Sequence, residues 1–566
     1  MRKNKLAYLA FLPLVGIVYA LTFFKLSISE DTLFYAMPAA QLITLAGILF
    51  FFVLCFRTMS SYIKLRTDTV ILLLIIFALG LFLRTVIPPQ VHRILYDEDI
   101  YLNIGQTIST NGKACLCDFG TPDNCIYCID NKEPSGWPSL LSVFFKLFGA
   151  KEQIAFTLSI LLNSFSVILV FLIAYLLYHK ESIALYSALV LSLLRTHIEW
   201  SSTVSADAVS MFFNCLAILA LLIYLRKQNW KTLGFFIFSV VYASQIRPES
   251  FLIFMLAGIL LLLHARKIYT ELFTPRLLIF LVILLLLIFP NVMHLKNASN
   301  EDWGAGEKEN GEKFGTKYIA YNLKTNLSYF VENNRFSLIF TILALVGLAL
   351  SLRYYLGNTA FMLSWELLYF TIFILFYAGS FNYGMDVRFA INLFPPVSIF
   401  CGVSLAKLES MISSFRSSRK AYITVAIKLI IIVTIALLVL PQLKEMPKRE
   451  ISAYDSMLSH DFAIQQVNTL PKDSMFITHV PSMILINGGN AFQANLYHKN
   501  EFVKQIFSNY THVYWYEGFW CMHDPHQRDN ICSYLKKNYV LYPVASITNE
   551  VNPNRYNYTL YRIFEK

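Results

Sequence analysis

The chain has 566 residues, of which 56% are hydrophobic and 15% are charged, whereas roughly 25% of residues are charged in soluble domains. This composition excludes an ordinary soluble globular protein and indicates an integral membrane protein. The formal net charge of +11 does not indicate nucleic-acid binding, because the basic residues are spread over short loops rather than gathered in one stripe.

Apolar segments recur along most of the chain, and a helix needs about 20 residues to cross a hydrocarbon core about 30 Å thick. The sequence therefore predicts a polytopic α-helical membrane protein with about thirteen spans. The predicted spans are residues 7–24, 36–56, 69–87, 153–178, 182–195, 203–225, 232–246, 250–264, 277–294, 336–355, 361–379, 388–406 and 421–441.

Basic residues cluster in alternate loops and predict the orientation of these spans, because cytoplasmic loops carry the excess of lysine and arginine. We predict two leading spans in residues 1–68 and a catalytic membrane module in residues 69–441. On this topology the loops 88–152 and 295–335 and the region 442–566 lie outside the cytoplasm. We expect a multi-pass protein of the plasma membrane with an extracytoplasmic active site.

The first outer loop contains an acidic cluster, Tyr96-Asp97-Glu98-Asp99. The spacing of Ile100, Ile104 and Ile108 predicts a short helix over 97–110. On that helix Asp97 and Tyr101 share one side, whereas Glu98 points about 100° away, so we expect one acid to work in catalysis and the other to support it. The alternative is that these acids only complement the helix dipole.

The same loop contains four cysteines, Cys115, Cys117, Cys125 and Cys128. Two disulfides fit an oxidising compartment, and a structural zinc site with four thiolates is the alternative. Cys521 and Cys532 in the C-terminal region predict a further disulfide.

Charged residues also occur near the ends of predicted spans. An ionisable side chain such as Asp207 at the start of a membrane helix costs free energy, so it should face a partner or a cavity. Arg247 and Arg388 either snorkel or bind a phosphate group, because guanidinium matches phosphate oxygens bidentately. His197 is interpreted as a surface histidine beside Trp200.

The long loop 295–335 predicts either a mobile lid or disorder. After Pro441 the composition becomes that of a soluble domain. Alternating helix and strand patterns predict a small α/β domain, with helices at 455–467, 501–508 and 531–537 and strands at 474–478, 512–516 and 539–544.

Several motifs in this order resemble the C-type (GT-C) glycosyltransferases, and most of all their protein O-mannosyltransferase and aminoarabinose transferase branch. The motifs are Asp97-Glu98-x-x-Tyr101, Pro134-x-Gly136-Trp137-Pro138, Phe145-Lys146-Leu147-Phe148-Gly149, and Arg388-Phe389 followed by Pro395. The resemblance covers about residues 69–406. Glu133, Ser135 and the four-cysteine insert depart from the family pattern.

The resemblance implies an inverting transfer of a sugar from a polyprenyl phosphate to a protein, lipid or glycan acceptor. It also implies that Asp97 is the catalytic carboxylate and Glu98 its companion. Tyr101, Asp207, Arg247 and Arg388 are the expected substrate-binding residues. A divalent cation, Mg²⁺ or Mn²⁺, has room on Asp97 or Glu98, but the sequence does not require one.

Two other functions compete with this interpretation. A lipid or glycan transporter or flippase would have paired repeats and broken helices with charges at mid-span, whereas here the acids cluster in outer loops. An oligosaccharyltransferase-like catalytic subunit would share the span count, but its Trp-Trp-Asp-Tyr-Gly motif is not matched by Tyr514-Trp515-Tyr516-Glu517-Gly518.

Overall fold

The computed structural model describes residues 28–94, 96–264, 274–298, 312–332, 335–382, 385–414, 421–443, 451–549 and 557–566. The chain forms two compact units. The first unit contains Met1–Pro89, Thr157–Ser202 and Ala206–Lys448, and the second contains Gln90–Phe156, Thr203–Ser205 and Arg449–Lys566. The second unit therefore combines the first long loop with the C-terminal region.

Eight helices within the described residues are long and apolar enough to cross a membrane. They are Glu30–Tyr62, Thr67–Val86, Glu152–Tyr178, Ala206–Arg226, Pro275–Ala298, Leu356–Leu375, Asp386–Ser413 and Val425–Leu443. The polytopic helical architecture is thereby confirmed.

Four other predicted spans are shorter apolar helices: Glu181–Leu193, Trp230–Ser244, Pro248–Leu263 and Leu338–Tyr354. At 1.5 Å per residue, a helix of this size reaches less than the thickness of a hydrocarbon core. The described residues thus hold fewer full-length spans than the thirteen predicted. The first predicted span, residues 7–24, lies outside the described residues.

Helices in the first unit approach closely where glycine replaces a side chain. A Cβ atom on Gly347 would lie 1.8 Å from the carbonyl oxygen of Phe400, and one on Gly402 would lie 2.6 Å from that of Ile183. Small residues let membrane helices pack backbone against backbone. The helix Phe394–Ser414 therefore packs closely against two other helices, one at Gly347 and one at Ile183.

The described part of the loop 295–335 contains a helix. Residues Ile319–Val331 are α-helical, and the amide of Asn322 donates to the carbonyl oxygens of Phe373 and Phe376 at 3.1 and 2.7 Å. Asn326 in the same helix is also fully buried. The predicted disorder is therefore wrong for this helix, because its buried asparagines bind backbone groups, whereas the mobile lid stays a prediction. Residues 299–311 lie outside the described residues.

A seven-stranded mixed sheet forms the centre of the second unit. Its strands are β1 (Leu116–Thr121), β2 (Asn124–Ile129), β3 (Ser474–Thr478), β4 (Asn490–Gln493), β5 (His512–Glu517), β6 (Tyr539–Thr548) and β7 (Asn557–Glu565). The strand order is β2-β1-β4-β3-β5-β7-β6. Strand β3 runs parallel to β4 and β5, whereas the other neighbouring pairs are antiparallel.

The predicted helix–strand pairs of the C-terminal region are present. The helices Ile451–Thr469, Asn500–Asn509 and Ser533–Asn538 precede strands in the predicted order. Several features of the sheet are not predicted from the sequence: the strands β1 and β2, the short strand β4, the last strand β7, and the pairing of β1 with β4, by which the hairpin of the first loop joins the sheet.

Three disulfides connect the six cysteines of the first loop and the C-terminal region. Cys115 is bonded to Cys128 and Cys117 to Cys125, with Cα–Cα distances of 5.7 Å in both pairs. These two bonds join β1 to β2, so the disulfide interpretation of the four cysteines replaces the zinc alternative. Cys521 and Cys532 form the third, predicted bond.

Asp118 lies at a bulge of β1, where the pairing with β2 shifts between Cys117 and Phe119. The side chain is 3% exposed, and burial raises the pKa of this carboxyl to about 7, although the ammonium of Lys499 acts to lower it. An acid with a raised pKa holds its proton more tightly in the folded state. Its contribution to stability therefore falls as the pH rises from 3.8 to about 7.

We expect the Asp118→Asn variant to lose this part of the pH dependence, because the amide cannot ionise. Its gain in stability relative to the wild type at about pH 8 should approach a few kcal/mol, since each pKa unit corresponds to about 1.4 kcal/mol. The thermal midpoints of the detergent-solubilised proteins at about pH 4 and about pH 8 measure the effect. Asp123→Asn, at the exposed tip of the same hairpin, is the matched control. Equal pH dependence in Asp118→Asn and the wild type would contradict the assignment.

Candidate active site

The acidic cluster lies at the start of the helix Asp97–Asn111, which confirms the helix predicted there. The residue before it, Tyr96, has a φ of 85°, a backbone conformation that is uncommon outside glycine and concentrates at functional sites. At the other end Gly112 adopts a left-handed conformation with a φ of 71° and ends the helix. Three consecutive carboxylates thus occupy the first turn, where the helix dipole favours negative charge.

Glu98 is fully buried and bonds to the backbone before the helix and to a segment distant in sequence. Its Oε1 accepts hydrogen bonds from the N–H groups of Arg93 and Ile94 at 2.7 and 3.1 Å. Its Oε2 accepts one from the N–H of Val204 at 2.6 Å. Burial raises the pKa of Glu98, whereas His92 and these three N–H groups act to lower it. Glu98 therefore fixes the helix start and has both oxygens engaged.

Asp99 faces a cluster of buried residues that we call the His–carboxylate cluster: His92, Asp99, Glu152 and His460. The Oδ1 of Asp99 lies 3.1 Å from Nε2 of His460, and Nδ1 of His460 lies 2.8 Å from the carbonyl oxygen of Ser456. The imidazole rings of His92 and His460 stack with centroids 4.3 Å apart. Nε2 of His92 lies 3.7 Å from Oε2 of Glu152.

Charges within the His–carboxylate cluster shift its pKa values. Burial alone would lower the pKa of His460, but the carboxylate of Asp99, with Glu152 nearby, raises it to about 10. Burial would raise the pKa of Asp99, but His460 and His92 lower it. Each group of this pair therefore favours the charged form of the other.

The His–carboxylate cluster is not apparent from the sequence. Asp99 belongs to the acidic cluster of the first loop, but no pattern in the sequence assigns it a role. Glu152 has the pattern of an ordinary acid in the first turn of a helix. His460 is 361 positions from Asp99, so no local pattern connects the two. A single sequence therefore gives no sign that His460 and Asp99 are in contact.

Asp97 and Tyr101 have different surroundings. Asp97 is the first residue of the helix and is half-buried. Tyr101 is 1% exposed, and its hydroxyl donates to Oε2 of Glu133 at 2.8 Å. Glu133, a departure from the family pattern, therefore anchors Tyr101, while the half-buried carboxylate of Asp97 is the one in the run with partial access to solvent.

A small cavity of about 40 Å³ lies beside the acidic run in the second unit. Asp99 and His460 line it, together with aromatic side chains that include Tyr96 and Trp520. The rings of Tyr96 and Trp520 meet edge to face with centroids 5.6 Å apart. The cavity gives the His–carboxylate cluster a route to small solutes.

The first unit brings together the three charged residues that the sequence singled out near the span ends. Asp207, the second residue of the helix Ala206–Arg226, lies 3.3 Å from Arg247 and 3.6 Å from Arg388, measured from Oδ2 to Nη1 and Nε respectively. Nε of Arg247 also bonds to Oε1 of Glu249 at 2.7 Å. The expected partners of Asp207 are thus present, and all four side chains are largely buried.

The interpretation of His197 as a surface residue is wrong. The side chain is fully buried, with Nδ1 at 2.7 Å from a guanidinium nitrogen of Arg84 and Nε2 at 3.0 Å from Oδ1 of Asn163. Arg84 is itself fully buried and needs a polar partner in an apolar environment. His197 therefore supports the interior of the first unit.

Comparisons with known proteins support the predicted resemblance to the C-type glycosyltransferases. A family model described as dolichyl-phosphate-mannose-protein mannosyltransferase matches residues 132–294. No curated protein matches the chain.

Solved structures match the chain at low sequence identity. ArnT from Cupriavidus metallidurans bound to undecaprenyl phosphate has a TM-score of 0.52 and 13% identity, covering 86% of this chain and 97% of that chain. The same protein in the apo state has a TM-score of 0.52 and 14% identity over the same shares. The Archaeoglobus fulgidus oligosaccharyltransferase tethered with an acceptor peptide has a TM-score of 0.49 and 10% identity, covering 88% and 74%.

The likeness to ArnT shows a common fold. Together with the family model, it confirms the predicted resemblance to the C-type membrane glycosyltransferases.

We expect Glu98→Gln to destabilise the second unit. The amide nitrogen cannot accept a hydrogen bond, so one backbone N–H group would be left facing another donor, at a cost of roughly 2–4 kcal/mol. A lower thermal midpoint, followed by tryptophan fluorescence, measures the loss. Glu501→Gln makes the same chemical change in the exposed first turn of Asn500–Asn509 and should leave the midpoint nearly unchanged. Equal midpoints for Glu98→Gln and the wild type would remove this carboxylate from the support of the helix.

Proposed function

We propose that this chain is a membrane glycosyltransferase that moves a sugar from a polyprenyl phosphate to a hydroxyl or amine of an acceptor. Support for the donor comes from the family model over residues 132–294 and from a fold similar to that of an ArnT structure bound to undecaprenyl phosphate. The pattern of basic loops supports a reaction on the extracytoplasmic side.

Asp97 is proposed as the catalytic base because its burial differs from that of the two neighbouring acids. Glu98 uses both oxygens to bind backbone N–H groups, and Asp99 is paired with His460. Asp97 is the half-buried member of the run. A general base needs access to the acceptor proton as well as a fixed position, and the partial exposure of Asp97 at the start of a helix supports this role.

The proposed reaction is a single displacement with inversion. Asp97 removes the proton from the acceptor oxygen or nitrogen while that atom forms a bond to the anomeric carbon of the sugar. The bond between this carbon and the phosphate oxygen breaks on the opposite face, and the electron pair leaves with the polyprenyl phosphate. Such a leaving group needs compensating positive charge as it departs.

Arg247 and Arg388 are the proposed source of that charge. Asp207 holds both guanidinium groups, which keeps two long side chains in defined positions in an apolar environment. A guanidinium has five N–H donors, so an arginine bonded to a carboxylate can also bind phosphate oxygens. In this role Asp207 positions the arginines, and Tyr101 positions the first turn through Glu133.

A divalent cation on Glu98 does not fit its surroundings. Both oxygens of Glu98 face N–H donors, whereas Mg²⁺ and Mn²⁺ require exposed oxygen ligands. The proposed mechanism therefore has no step that depends on a metal at this position.

We expect Asp97→Asn to reduce sugar transfer by about 100-fold or more, because general base catalysis contributes on that scale. The measurement is transfer of a radiolabelled sugar from polyprenyl phosphate in membranes, with protein amount and thermal midpoint determined in parallel. Asp473→Asn, an exposed aspartate in the same unit, is the matched control. Wild-type turnover by folded Asp97→Asn protein would exclude Asp97 as the base.

We expect Arg388→Ala to weaken use of the donor more than use of the acceptor. Loss of a charge-assisted hydrogen bond to phosphate corresponds to about 10- to 100-fold in KM for the lipid donor. Steady-state kinetics with each substrate varied in turn separate the two effects. Arg353→Ala removes an exposed arginine of the first unit and serves as the control. An unchanged KM for the donor would assign Arg388 to packing.

A further inference from the structure

We propose that the His–carboxylate cluster is a structural metal site for Zn²⁺, or a first-row ion of similar preference, with His92, His460, Asp99 and Glu152 as ligands. This site differs from the catalytic carboxylate Asp97 and does not depend on the proposed reaction. All four residues belong to the second unit.

The ring of His460 is oriented as in metal sites. Nδ1 lies 2.8 Å from the carbonyl oxygen of Ser456, so a hydrogen on Nδ1 leaves the lone pair of Nε2 pointing to the opposite side. A metal-bound histidine usually donates its other N–H to a carbonyl or carboxylate in this way, which fixes the tautomer. Nε2 lies 3.1 Å from Oδ1 of Asp99.

His92 supplies the second nitrogen. The side chain is 3% exposed, and within the described residues neither ring nitrogen makes a hydrogen bond. Its closest charged partner is Glu152, whose Oε2 lies 3.7 Å from Nε2. Burial of an imidazole without hydrogen bonds is costly, and coordination of a metal would remove that cost.

The distances between donor atoms match one ion. One ligand atom each from His92, Glu152 and His460 lie within 4.8 Å of one another. Tetrahedral zinc with bonds of about 2.0–2.1 Å has ligand atoms about 3.3 Å apart. Within this group the pair of His92 and Glu152 at 3.7 Å is close to this spacing, and no pair needs a closure of more than about 1.5 Å to reach it. Asp99 joins the group through its contact of 3.1 Å with His460.

The donor set selects the class of metal. Two imidazoles and two carboxylates suit zinc and similar transition metals, whereas Mg²⁺ and Ca²⁺ prefer oxygen ligands alone. A second group of metal-binding residue types, His479 with Cys521 and Cys532, is excluded because both cysteines are in a disulfide. The cavity beside Asp99 and His460 provides an entry path.

The metal would join segments that are distant in sequence. His92 precedes the helix Asp97–Asn111, Glu152 begins Glu152–Tyr178, and His460 lies in Ile451–Thr469. Because four protein ligands leave no open position, the site is structural rather than catalytic. Its free energy of binding would stabilise the folded second unit.

The experiment uses the full chain in detergent and measures metal rather than activity. The wild-type protein is stripped with a chelator, incubated with Zn²⁺ and desalted, and its metal content is measured by mass spectrometry. We expect about one zinc per chain and a thermal midpoint that falls on chelation and recovers with Zn²⁺. Co²⁺ should give the absorption bands of a tetrahedral site.

Variants identify the ligands. His92→Gln and His460→Gln should each lose most of the bound zinc, because removal of one ligand weakens binding by at least about 10- to 100-fold. His523→Gln, at an exposed histidine of the same unit, should retain it. No bound zinc and no change of midpoint in the wild type would overturn the proposal and leave a protonated histidine–carboxylate pair. Full zinc content in both His92→Gln and His460→Gln, or its loss in His523→Gln, would also overturn it.

Discussion

The three hydrogen bonds that the buried carboxylate of Glu98 accepts from backbone N–H groups are the interaction on which the candidate site depends. They join the turn before the helix Asp97–Asn111 to the segment around Val204, and so fix the direction in which the first helical turn points. A buried charge is tolerated only when such partners surround it. Asp97 and Asp99 take their separate positions from this support, one half-buried and one inside the His–carboxylate cluster.

The first unit balances its own buried charges by the same principle. Asp207 pairs with Arg247 and Arg388, and the fully buried Arg84 is met by His197. Ionisable side chains in a membrane protein are costly and therefore occur where function or mutual pairing requires them. A carboxylate held between two arginines keeps their guanidinium groups in a fixed arrangement, which suits binding of an anionic head group through directed N–H donors better than flexible lysines would.

Much of this architecture follows from sequence patterns that are local. Long apolar runs locate the helices, the isoleucine spacing locates Asp97–Asn111, and alternating patterns locate three helix–strand pairs of the C-terminal region. Contacts between distant segments do not follow from such patterns. The pairing of β1 with β4, the burial of His197 and the approach of His460 to Asp99 each depend on tertiary packing. The roles of Asp97, Arg247 and Arg388 remain predictions, since contacts alone do not assign chemistry.

The sheet of the second unit has a consequence for biosynthesis. The hairpin of β1 and β2 is made early, but its inner neighbours β3 and β4 come from the last part of the chain. Phe119 belongs to an apolar core with Met475, Phe492 and Trp515, so this ring stays unburied until translation is nearly complete. During that interval the two disulfides can preserve the hairpin as a preformed two-stranded part of the sheet. A truncated product that ends before β3 would therefore expose the unpaired backbone edge of β1 and the apolar ring of Phe119, and would become a target for quality control.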